Sequence, residues 1–273
     1  MHNVDINERS DKSNDPIQSA TIATRCEGYG ATITGLTIVS NDTLAFVCGL
    51  TNYSVRLLDI DTGKILSRSE RLREKPFDIT AISDNKLAVT VPALKWIRLL
   101  SSTDGKLILS HRINTDGCCK GISYGDGKLV VTFVDPPKVE VLDMSGEKLY
   151  TSLGGVMFRA PRYVSVSSDE ESCYVSDKQM IIHMDWEGQV IRRYTDQSMD
   201  AKGITSTKSG FLVCDGRGNV CKMSATCHKD IVYSMNLPAS QSHVICVNST
   251  DNSFFVSFGN KESRLGLIKN VHI

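Results

Sequence analysis

The chain has 273 residues, 41% of them hydrophobic, and its 31 Lys+Arg balance 31 Asp+Glu to a formal net charge of zero. That balance excludes indiscriminate binding to DNA, RNA or an anionic membrane, each of which needs an excess of positive charge. Its longest apolar run, near Leu44 to Leu50, falls far short of the roughly 18 residues of a spanning helix.

In chain order, residues 1–18 open as MHNVDINERSDKSNDP. They have neither the apolar core of a secretory signal nor the Arg-rich character of a transit peptide, and are read as a flexible tail. Thr21-Ile22-Ala23-Thr24-Arg25 has strand composition. From there a unit repeats with a period of about 42 residues. Each unit opens on a triplet whose centre is aliphatic: Gly35-Leu36-Thr37, Asp78-Ile79-Thr80, Gly121-Ile122-Ser123, Tyr163-Val164-Ser165, Gly203-Ile204-Thr205 and Val244-Ile245-Cys246.

A second apolar stretch follows each triplet after a polar turn: Leu44 to Val47, Leu87 to Thr90, Leu129 to Thr132, Cys173 to Ser176, Leu212 to Asp215 and Phe254 to Ser257. A third stretch begins at Val55, Ile97, Val139, Ile181, Val220 and Leu265. Five units then pass through a polar turn, four times with Gly (Gly63, Gly105, Gly146, Gly188), into a fourth strand. Four short strands per repeat predict an all-β fold, a six-bladed β-propeller over residues 19–273. The sixth unit lacks its outer strand, and the Thr21–Arg25 segment is predicted to supply it and close the ring, removing an exposed edge.

The fourth and fifth units carry a more specific pattern. Pro161, Tyr174-Val175-Ser176-Asp177 and Asp185-x-x-Gly188 resemble the NHL repeat, and residues 21–273 resemble the C-terminal propeller of tripartite-motif (TRIM-NHL) proteins of the divergent invertebrate type. RING, B-box and coiled-coil patterns are absent from this sequence. The resemblance therefore implies the partner-recognition part of a ubiquitin-ligase-type system without the transfer machinery, and RNA binding as an alternative use. With no coiled coil, a monomer is expected.

Nine cysteines, at 26, 48, 118, 119, 173, 214, 221, 227 and 246, form no Cys-x-x-Cys pair, which speaks against structural zinc. Most fall in apolar runs as small hydrophobes, pointing to a reducing, cytoplasmic compartment. The residues two before each inner-strand aliphatic are Thr34, Phe77, Lys120, Arg162, Lys202 and His243. Three permanent cations in that ring would repel a divalent metal, so a metal-dependent lactonase-like hydrolase, the second alternative, would need oxygen ligands from elsewhere in the channel. Without a Gly-x-Ser-x-Gly elbow or convergent histidines, no enzyme, metal or cofactor is expected.

Charge divides between the two loop faces. The first-to-second and third-to-fourth turns sum to about −8, which Asp-Gly turn chemistry explains. The opposite face carries about +2, with Lys or Arg recurring at equivalent positions. Its partner-binding candidates are Phe77, Lys120, Lys138, Arg162, Lys178, Lys202, Arg217 and His243. Phe77, Tyr163 and Tyr53 are candidates to stack on bases. A protein partner ranks first: an acidic or phosphorylated peptide, with RNA as the alternative.

Overall fold

The computed structural model describes residues 18–26, 32–49, 53–103, 106–153, 157–224, 229–234, 244–248, 250–251, 253–258 and 263–269. Residues 1–17 of the expected tail, His243 and the turn glycine Gly105 lie outside them, and Gln18, placed at the end of that tail, is instead the first residue of a strand.

Each polar-bounded apolar run becomes one strand, and every blade meanders antiparallel from the axis outward. The first blade is β2 (Ile33–Ser40), β3 (Thr43–Cys48), β4 (Val55–Asp59) and β5 (Ile65–Arg68). The second is β6 (Ile79–Ser83), β7 (Lys86–Val91), β8 (Trp96–Thr103) and β9 (Lys106–Asn114). The third is β10 (Cys119–Gly125), β11 (Lys128–Val134), β12 (Pro137–Leu142) and β13 (Lys148–Leu153). The fourth is β14 (Tyr163–Val166), β15 (Ser172–Asp177), β16 (Met180–Asp185) and β17 (Val190–Thr195). The fifth is β18 (Ile204–Thr207), β19 (Gly210–Cys214), β20 (Asn219–Ser224) and β21 (Lys229–Ser234).

These five blades are runs of consecutive strands, and the fold is a β-propeller. A further four-stranded sheet joins β22 (Ile245–Asn248), β23 (Ser253–Phe258) and β24 (Ser263–Lys269) to β1 (Gln18–Cys26), with Ile22 opposite Leu265.

The core lies between blades. Ala45, Val47 and Val55 of the first blade pack on Ile79, Leu87 and Val89 of the second; Val130 and Val139 of the third meet Val164, Val175 and Ile182 of the fourth. A single blade has two apolar faces and only its neighbours to cover them, so the units are stable only in an array.

The Ser/Thr that ends each of the first four opening triplets is an inter-blade staple. Thr37 Oγ1 accepts the Ala81 N–H (3.3 Å), Thr80 Oγ1 the Tyr124 N–H (3.2 Å), Ser123 Oγ the Val166 N–H (3.0 Å) and Ser165 Oγ the Ser206 N–H (2.9 Å). Removing one hydroxyl leaves an inner-strand amide unpaired, so Ser123→Ala is expected to cost about 1 kcal/mol. Urea denaturation of the variant would measure it; an unchanged midpoint would deny the staple any net role.

The acidic turns follow hairpin chemistry. Asp59 Oδ1 accepts the Thr62 N–H (2.7 Å), Asp143 Oδ1 those of Ser145 and Glu147 (both 2.8 Å), and Asp185 Oδ1 that of Gln189 (2.7 Å). Gly63, Gly146 and Gly188 then take positive φ. Hydrogen bonds from Thr62 and Ser145 hold Asp59 and Asp143 below the usual carboxylate range, as Ser40 does for Asp42 and Ser167 for Asp169.

Candidate functional site

The inner strands β2, β6, β10, β14, β18 and β22 contribute residues to a channel with two unlike ends. At the end where these strands begin, Thr90 Oγ1 accepts the Asp78 N–H (3.0 Å) and donates to the Lys120 carbonyl of the next blade (2.6 Å). Thr132 Oγ1 likewise accepts the Gly121 N–H (2.8 Å) and donates to the Arg162 carbonyl (3.1 Å). These hydroxyls end the second apolar stretch of their units. They fix the backbone of Lys120 and Arg162 at the mouth.

Lys120 Nζ lies 4.5 Å from the centre of the Phe77 ring. Burial lowers its pKa, and the charges of Lys75 and Arg162 lower it further. Among the described residues no carboxylate pairs with Lys75, Lys120 or Arg162. Lys120 over the Phe77 ring, with the like charges of Lys75 and Arg162 acting on it and no carboxylate paired to any of the three among the described residues, is a polarised feature of this mouth.

The other candidates do not join this cluster. Lys202 pairs with Asp200 at 2.6 Å. Lys138 is buried, held by Glu140 (2.7 Å) and Asp116 (2.9 Å) above the Phe133 ring, so its charge is already satisfied by its own strand and the loop that enters its blade. Lys178 and Arg217 are exposed in turns; Lys178 has φ 53°, and Arg217 donates its backbone N–H to Asp215 Oδ1 (2.8 Å).

Tyr163 corrects an expectation. Its ring is buried, tilted against Phe77 with centroids 5.1 Å apart, and its hydroxyl crosses the channel to donate to the Thr34 carbonyl (3.2 Å). A ring so engaged is a plug, not a stacking platform. Tyr53 already carries the Arg71 guanidinium 5.2 Å from its centre.

Beyond the plug, the channel widens into a cavity of about 650 Å³ that sequence reasoning did not find. It runs to the far ends of the inner strands and to the first-to-second turns, where Ser168, Glu170 and Lys208 form its rim. Its walls include Ile79, Ile122, Val164 and Ile204 and the staple hydroxyls; Asp78 and Tyr163 line its inner end.

Asp78 is the first residue of its triplet, where the neighbouring units carry Gly35 and Gly121. Its Oδ1 accepts the Ile79 N–H (2.9 Å) and its Oδ2 the Ile122 N–H of the next blade (3.0 Å). Burial pushes its pKa up to about 7 against the pull of these two hydrogen bonds. The Tyr163 phenol is likewise raised by burial, then by the charge of Asp78. The signal available in the sequence was an acid at a position otherwise held by Gly, Tyr or Val. Among the described residues no three His, Cys, Asp or Glu side chains converge on a metal position.

No protein-family model matches the sequence. Nor does any curated protein sequence match it. Solved structures do. The likeness is to β-propellers. A streptogramin B lyase superposes with a TM-score of 0.69 at 15% identity, covering 93% of this chain and 98% of the other. Virginiamycin B lyase from Staphylococcus aureus gives 0.66 at 12%, covering 93% and 99%. The WD40 β-propeller domain of Doa1 gives 0.66 at 13%, covering 92% and 97%. At such identities the comparison carries the fold alone, which hosts enzymes and interaction domains alike. Among the described residues no helix is long and apolar enough to cross a membrane.

Proposed function

We propose that the chain is a six-bladed propeller of NHL type, closed by β1, and that it is a non-catalytic interaction module whose Lys120–Arg162 mouth binds an acidic segment of a protein partner. Support for closure comes from β22, which packs against both β18 and β2, and from Ser257 Oγ, which reaches the Ile33 carbonyl at 3.5 Å. The observation that carries the function is Lys120, seated over Phe77 and acted on by the like charges of Lys75 and Arg162, with no carboxylate paired to any of the three among the described residues. A partner's Asp or Glu relieves the mutual repulsion and gains charge-assisted hydrogen bonds. A protein fits better than RNA because the cations are few, whereas RNA affinity grows with the number of neutralised phosphates.

Fluorescence anisotropy with a labelled Asp/Glu-rich peptide and a labelled oligouridylate tests this. The peptide is expected to bind, and the double variant Lys120→Glu, Arg162→Glu to weaken it at least tenfold, a loss of about 1.4 kcal/mol or more, with thermal stability nearly unchanged. Peptide binding that survives both reversals rejects the mouth as the site. A preference for the oligouridylate, with affinity falling along a log–log salt slope of about −0.7 per phosphate contact, would select the RNA reading.

A further inference from the structure

The cavity at the opposite end of the channel has a chemistry of its own. Asp78 is 6% exposed, and each of its oxygens accepts one backbone N–H. An ionised carboxylate can accept about four hydrogen bonds, so acceptor capacity remains on a group that lines the cavity. Among the described residues no Lys, Arg or His forms an ion pair with it. A buried carboxylate without a counter-charge is strongly disfavoured.

A second observation is independent of Asp78. Thr207 also lines the cavity, is 7% exposed, and among the described residues its Oγ1 has no hydrogen-bond partner. The remaining wall mixes Ser and Thr hydroxyls with the aliphatic side chains of Leu36, Ile79, Ile122, Val164 and Ile204, which offer apolar surface beside Asp78, and the volume lies within the range of small-molecule sites. We propose that this cavity binds a small organic cation, an ammonium group on an apolar body, with the ammonium paired to the Asp78 carboxylate. A hard metal ion fits poorly, because it takes six or more oxygen ligands and the staple hydroxyls already accept backbone N–H groups.

The other ionisable groups around Asp78 set the terms of the pairing. β2 contributes no charged side chain, β7 contributes Lys86, and β10 contributes Cys119, Lys120 and Tyr124. Tyr163 and Cys246 share the cavity wall, with Glu170 and Lys208 at the rim. Lys120 is engaged over Phe77 at the other mouth, and thiol and phenol groups bring no positive charge. An ammonium ligand selects the ionised carboxylate, so its affinity rises as Asp78 loses its proton.

Titration calorimetry with 2-phenylethylammonium and its neutral isostere 2-phenylethanol tests the proposal. The ammonium is expected to bind at least about tenfold more tightly than the alcohol. Its affinity is expected to rise about tenfold between pH 6 and pH 8, following Asp78 ionisation, while the alcohol shows no such trend. Asp78→Asn should abolish the preference for the ammonium; if that variant does not fold, the pH series on the unaltered chain decides alone. Equal affinities, an affinity flat with pH, or no ammonium binding at millimolar concentration would each overturn the proposal. The site is separate from the Lys120–Arg162 mouth, so the double charge reversal there is expected to leave ammonium binding intact.

Discussion

Gly121→Ala is expected to destabilise the propeller by about 3 kcal/mol or more, lowering its melting temperature by roughly 10 °C for a chain of this size. The reason is steric. A Cβ built on Gly121 would lie 2.5 Å from the Arg162 carbonyl oxygen and 2.6 Å from the Tyr163 Cα. Both atoms belong to the backbone of the next blade, so no rotamer change relieves the contact, and the inner strands must separate. Gly35 faces the same limit, with the Asp78 Cα at 2.6 Å. Around the channel the first triplet residues alternate between Gly35, Gly121 and Gly203 and the larger Asp78, Tyr163 and Val244. At Gly35 and Gly121 the absent side chain leaves room for the following blade. Gly127→Ala is the control: this glycine has φ +72° and nothing within 4 Å of a built Cβ, so only backbone strain of about 1 kcal/mol is at stake. Urea and thermal denaturation of both variants would check the ranking, and equal losses would mean that inter-blade distance is not what fixes Gly121.

That alternation was in the sequence from the start, which marks where reading by pattern stops. Periodicity places each strand, because alternate apolar residues and Asp-Gly turns are local properties of about ten residues. Lys120, Arg162 and Phe77 were legible as a group for the same reason: equivalent positions in successive units share one end of the channel. Lys138 was misplaced among them because its partners, Asp116 and Glu140, come from a connecting loop and its own strand, and no repeat position records such a pairing. Tyr163 reads as a stacking candidate because nothing local indicates that its hydroxyl reaches the Thr34 carbonyl, 129 residues away. The cavity was invisible for a related reason. Its volume follows from how far inner strands from different blades stand apart, and that depends on small residues acting across blades. The Ser/Thr closing the first four triplets was visible as a pattern, but its role as acceptor for the next blade's amide appears only once the blades are stacked.

Asp78 should make the protein lose stability as pH rises from about 4 to 8, opposite to the usual behaviour of a carboxylate. An ordinary Asp titrates near 3.8, and burial raises Asp78 to about 7. Between those values the folded state holds a proton that the unfolded state has released, so folding is linked to proton uptake and raising the pH opposes it. The gap corresponds to about 4 kcal/mol, fully lost above pH 7 and regained below pH 4. Asp116 and Asp196 act in the other direction. Hydrogen bonds from Lys148 and Lys138 hold Asp116 at about 2, and those from Lys229 and Ser198 hold Asp196 at about 2; their contributions are present above pH 4 and disappear as pH falls toward 2. Together these groups set a stability maximum near pH 4. Asp78→Asn tests the assignment through the slope of stability against pH and not through its absolute value, because an Asn must turn its amide N–H₂ toward one of the backbone N–H groups of Ile79 and Ile122 and so costs stability at every pH. Melting temperatures measured from pH 5 to pH 8 are expected to fall by roughly 10 °C in the unaltered chain and to stay nearly level in the variant. Parallel curves would show that Asp78 does not titrate in this range, and the steep limb would then belong to another group.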